Sequence, residues 1–172
     1  SAFIDQLLQA AVANGVVGKA QPVAGAAPAD AEAAAPDARF AAADAAMEAG
    51  DYALAVEEFD KILKATPGDA EAAAGKAGAE LLVRVTAQDP DAVVARAKAH
   101  PEDVDAQLDA ADLEVAGGAP EAAFARLVDV VRNTSGADRE KARVRLLALF
   151  ETIGASDPAV VKARRDLMSA LF

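Results

Sequence analysis

A recurring spacing constrains this chain more than any other feature. Pro67-Gly68-Asp69 and Pro101-Glu102-Asp103 lie 34 residues apart, and Gly50 and Gly118 lie 68 apart, twice that period. Proline cannot continue a helix, glycine commonly ends one, and aspartate commonly starts one. The spacing therefore marks helix, break and helix recurring in register. A unit of this length holds two antiparallel helices that cannot bury their apolar faces alone, so successive units stack. Apolar periodicity predicts helices near 37–49, 52–65, 69–83, 90–99, 103–116, 119–133, 138–152 and 157–171. Asp69, Asp103 and Asp138 sit where N-caps are expected, and Pro158 follows Asp157 at a first helical position.

The repeat also has an internal signature. Gly50-Asp51-Tyr52 forms a turn, and Ala55, Phe59 and Pro67 follow at tetratricopeptide spacing. Gly118, Ala123 and Leu127 repeat it later without the closing proline. The expected fold class is all-α: tetratricopeptide-like helical hairpins forming a short right-handed solenoid. Departures are visible. The large residues of the first helix are replaced by Arg39, Ala42, Ala43 and Ala46; Arg84 falls where the middle unit needs its turn glycine; and the helix near 90–99 looks short. Small side chains bury less area each, so neighbouring units must supply one another's cores.

Composition narrows the chemistry. Cysteine is absent and His100 is the single histidine, which removes disulfides, thiolate sites, His-based metal clusters and the usual triads. Aromatics make up 4% of residues and alanine is the commonest type, which suits close-packed helices better than a sheet. No stretch has the length of a membrane span and Ser1 opens no signal peptide, so cytoplasm is the expected compartment. A net charge of −11 argues against nucleic acid. That charge is uneven. Residues 1–137 carry 10 basic and 23 acidic side chains, whereas 138–172 carry 7 and 5. The acidic clusters Glu57-Glu58 and Asp103/Asp105/Asp109/Asp112 lack the spacing of a calcium loop. No metal, cofactor or catalytic residue is expected, and the chain reads as no enzyme.

Three segments are expected. Residues 1–13 form a short amphipathic helix with Phe3, Ile4, Leu7, Leu8 and Ala10 at helical intervals. Residues 14–36 form a flexible linker broken by Gly15, Gly18, Pro22, Gly25, Pro28 and Pro36. Residues 37–172 form the repeat domain with C-terminal capping helices. The first helix must dock either on the repeats or on a preceding domain.

From Gly50 onward the chain resembles the C-terminal half of the thioredoxin-like co-chaperone (co-chaperedoxin, YbbN-like) family. The resemblance runs through Pro101-x-Asp103, Gly117-Gly118, Ala122-Ala123-Phe124-x-x-Leu127 and Ala142-Arg143-x-x-Leu146-Leu147-x-Leu149-Phe150. It ends on Asp157-Pro158 and Arg164-Arg165-x-Leu167-x-Ser169-x-Leu171-Phe172. It implies a thioredoxin-like domain before the repeats, residues 1–13 being its remnant, and a role in holding unfolded clients and passing them to a chaperonin. The repeats and the extreme C-terminus are the implied docking parts. A generic protein scaffold, or the regulatory helical half of an enzyme, remains open as an alternative.

Two surfaces are candidate partner sites. First helices of successive units line a concave groove that takes peptides. In the first unit the register puts Asp37, Phe40, Asp44, Met47 and Glu48 there; in the later unit it puts Asp105, Leu108, Asp112 and Val115 there. Acidic and apolar groups together suit a basic or amphipathic segment, or they are merely a solvated face. Carboxylate-clamp repeats use lysine and asparagine where this chain has Phe40 and Asp44. The second surface is the final helix. Val160, Ala163 and Leu167 face the core as a cap, Lys162, Arg164 and Arg165 project away, and Leu171 and Phe172 offer an apolar anchor beside Arg164 and Arg165. Arg139, Lys141, Arg143 and Arg145 alternate at spacing two and spread around their helix. The partner class is protein, with no nucleic acid and no membrane, and no residue decides the oligomeric state.

Overall fold

In a computed structural model the described residues are 37–171, and among them eight helices account for the regular structure. They are α1 Ala41–Glu48, α2 Tyr52–Ala65, α3 Ala70–Thr86, α4 Pro90–Ala99, α5 Val104–Ala116, α6 Pro120–Asn133, α7 Gly136–Ile153 and α8 Pro158–Leu171. The expected segments 1–13 and 14–36, together with Phe172, lie outside the described residues.

Local chemistry accounts for most boundaries. Asp51, Asp69 and Asp103 each accept a hydrogen bond from the backbone N–H three residues on, at 3.0–3.1 Å, and Asp89 does the same for α4. Each satisfies a donor that the first helical turn leaves without a partner. Asp157 accepts from the Ala159 N–H at 2.7 Å, with Pro158 opening α8. The two repeat glycines build the same turn. Gly50 and Gly118 have φ of +74° and +80°. The following N–H groups, Asp51 and Ala119, return to the carbonyls of Ala46 and Glu114 at 2.9 and 2.8 Å. This is the six-to-one closure that a left-handed residue permits.

Three boundaries differ from the sequence expectation. Helix α1 starts at Ala41 rather than near 37, because Asp37 instead accepts from the Arg39 backbone N–H and forms a turn. Helix α7 starts at Gly136, so Asp138 lies in its first turn and is no cap. Helix α3 continues through Arg84 to Thr86, because that arginine has a buried partner and needs no turn.

Two apolar cores share α3. The N-terminal one joins Phe40, Ala43 and Ala46 of the α1 region to Ala55 and Phe59 of α2 and to Ala72 and Ala79 of α3. The C-terminal one joins Leu81 and Val85 of α3 to residues of α5, α6, α7 and α8. Its centre is Phe124 against Phe150, edge to face at 5.0 Å. Helix α4 has a smaller cluster of its own with α5, through Val93, Ala97, Ala106 and Ala110.

Close approach of α2 and α3 depends on Gly75. A Cβ there would meet the Phe59 ring at 2.4 Å. Alanine normally gains about 1 kcal/mol over glycine inside a helix. Overpacking a filled core costs about 1–3 kcal/mol, so Gly75→Ala is expected to lower stability on balance. Thermal melts check this, and a Gly75→Ala/Phe59→Leu chain should recover part of the loss.

Candidate protein-binding surfaces

The concave surface is the first candidate, and the chain itself covers much of it. Helices α3, α5 and α7, the first helices of three successive hairpins, all pack on one another, and α7 reaches α3 across the hairpin between them. Leu108 and Val115 of α5 are consequently buried in the C-terminal core. Asp112 is 1% exposed and bridges two arginines. Arg84 of α3 donates Nε–H to Asp112 Oδ2 at 2.7 Å, and Arg145 of α7 donates Nη1–H to the same oxygen. At the exposed end of this seam, Lys141 of α7 lies 3.1 Å from Asp105. Burial lowers the affinity of the Arg145 guanidinium for its proton; the Asp112 carboxylate opposes that effect and the like charge of Arg84 adds to it.

These placements revise the groove expectation. Leu108, Asp112 and Val115 are interior side chains because the hairpins curl until α7 meets α3, and Phe40 is interior because its own hairpin folds it against α2 and α3. Phe40 packs on Phe59 with ring centroids 6.2 Å apart, and the Arg39 guanidinium covers its ring at 5.0 Å. Met47 is half-buried against the N-terminal core. Asp37, Asp44 and Glu48 stay exposed. The Asp44 carboxyl is raised above its ordinary value by partial burial and then by Glu48. Arg145, read from sequence as one of a basic set spread around the helix, instead turns inward.

A second network fixes α4, whose ten residues have little propensity to stand alone. Buried Gln107 donates Nε2–H to the carbonyls of Ala97 and His100, at 2.8 and 3.3 Å, and thereby closes the C-terminus of α4. Its Oε1 accepts from Arg126 Nη1–H at 2.6 Å, and Arg126 also grips Glu114 through its Nε–H and Nη2–H. His100 caps the C-terminus of α4. Sequence reading passed over Gln107 and Arg126 and took Arg84 only for a missing turn glycine; a lone glutamine on an apolar helical face was the available signal.

The second candidate is α8. Val160, Ala163 and Leu167 are buried as a cap. Leu171 closes the helix half-buried against the C-terminal core, so it is more enclosed than a frayed anchor. Arg164 lies over the Phe150 ring at 5.4 Å. Lys162 pairs with Asp166 at 2.6 Å, while Arg165 is exposed and has no ion pair among the described residues. Val161 and Met168, 39% and 57% exposed, share a face with Arg165 at helical spacing. Each lies beside residues that the sequence reading chose.

Stacked helical hairpins with a 34-residue register define a repeat protein. The tetratricopeptide repeat family profile matches residues 83–172, just over half of the chain, and the chain belongs to that family. Repeats of this family generally mediate contacts between proteins and are generally not catalytic. Uncharacterized proteins of Mycobacterium bovis and of two Mycobacterium tuberculosis strains, CDC 1551 / Oshkosh and ATCC 25618 / H37Rv, are each 45% identical over 118 residues. The match takes in 69% of this chain and 38% of each relative, so the chain spans well under half their length. No solved structure matches. No helix among the described residues is long and apolar enough to cross a membrane.

Proposed function

We propose that this chain is the client- or chaperonin-docking half of a thioredoxin-like co-chaperone and that it engages its partner through the outward face of α8. The observation carrying the choice of surface is a contrast in exposure. Val161, Arg165 and Met168 lie open on α8, whereas the groove residues Leu108 and Asp112 are enclosed. The co-chaperone reading is supported by the resemblance running from Gly50 to Phe172. An exposed methionine is adaptable and polarizable, which suits contact with varied apolar segments. Arg164, Arg165, Leu171 and Phe172 complete the proposed docking end.

The test is binding of the chain to purified chaperonin, unaltered, lacking Leu171 and Phe172, and carrying Met168→Glu. Loss of most affinity, about tenfold or more, is expected for both altered forms. Unchanged binding by both would remove the site from α8, and no binding by the unaltered chain would leave a protein scaffold for other partners.

A further inference from the structure

The charge asymmetry along the sequence has a structural counterpart at the α5–α7 seam. Two cations one helical turn apart on α7, Lys141 and Arg145, meet Asp105 and Asp112 on α5. Arg84 of α3 joins the inner pair, so one carboxylate ties three helices together. Helix α7 thus lies where a partner helix would lie on the concave face of α3 and α5, with its charges matched to that face. Its other side packs on α6, with Phe150 edge to face on Phe124, in the core that also takes in Leu81, Val85 and Leu108.

We propose that α7 is a self-inhibitory occupant of the concave face. The Asp112 clasp keeps the solenoid curled shut, and a partner gains the face by presenting two cations of its own, one turn apart on a helix, in place of Lys141 and Arg145. Opening is an uncurling. The α3–α7 and α5–α7 contacts part while α6, α7 and α8 stay packed, and α5 then presents Asp105, Leu108 and Asp112. The inference rests on the protein-binding reading of the repeats but concerns a different surface from α8.

Because the seam already contains a matching helix, the probe is a fluorescent synthetic peptide of residues 137–153, titrated into the full chain. Arg145→Met weakens the clasp from the α7 side and leaves α5 unaltered. The peptide is expected to bind this variant about tenfold more tightly than the unaltered chain, because the open population rises. Adding Asp112→Asn should abolish the gain. Equal affinity for the unaltered chain and Arg145→Met, or a gain that survives Asp112→Asn, overturns the proposal. Circular dichroism checks that each variant keeps its helices. If Arg145→Met does not, Lys141→Gln at the exposed end of the seam carries the test; a smaller gain of the same sign is expected, and none overturns it. Chaperonin affinity measured on the same variants separates this result from the α8 reading, since neither substitution touches Val161, Arg165 or Met168.

Discussion

Phe124→Ala is expected to lower the unfolding free energy by about 3–5 kcal/mol, the range for removing a large aromatic from a filled core. Phe124 is 1% exposed and meets Phe150 edge to face. Its neighbours in the same core include Leu127, Leu146, Leu149 and Val160, all fully enclosed. Truncation removes the ring's transfer free energy, leaves a cavity lined by these side chains, and forfeits an aromatic pair worth about 1 kcal/mol. Domains of this size hold only about 5–15 kcal/mol in total. The consequence should extend beyond α6, because that helix packs on α5, α7 and α8. Guanidinium titration monitored by helical circular dichroism measures the effect. A loss below about 1.5 kcal/mol would mean the core repacks around the gap.

Local rules made some parts of this fold legible in advance. Helix starts at Asp69 and Asp103 and the Gly50 and Gly118 turns follow from chemistry within five residues, and the sequence displays that chemistry directly. The 34-residue register gave the pairing of neighbouring helices for the same reason. What escaped was set by distance. Arg84 looked like a missing turn glycine because its partner, Asp112, is 28 residues away and becomes close only when α3 and α5 pack. Arg145 looked like surface charge because its carboxylate is 33 residues back on another helix. Phe40 and Leu108 were assigned to a groove by repeat geometry. Phe40 is taken inward by Phe59 of its own hairpin. An open solenoid would have left Leu108 in the groove; the curl that brings α7 onto α3 involves non-neighbouring hairpins, which a nearest-neighbour repeat pattern does not encode. On α8 the cap was legible from periodicity, and so was the outward placing of Arg165; the exposed Val161 and Met168 beside it were not singled out.

Asp112→Asn should show the second large effect, a loss of about 3 kcal/mol. The asparagine is close in shape, so packing around position 112 changes little, but two guanidiniums then face each other without a carboxylate between them. Arg84 and Arg145 keep partial contact with water, their side chains being 26% and 21% exposed, so solvent relieves some of the repulsion. A fully enclosed pair would cost more. Replacing all three groups, Arg84→Met/Asp112→Leu/Arg145→Met, tests whether the cluster stabilises the fold or only specifies its closure. Desolvating three charges consumes much of their mutual attraction, so the apolar version is expected to match or exceed the unaltered chain in denaturant midpoint. The Asp112→Asn loss would then come from orphaned charge, and the ionic cluster's role would lie in how α3, α5 and α7 meet. If the triple variant is instead less stable than Asp112→Asn, the cluster contributes stability in its own right, and its geometry outweighs the cost of burying it.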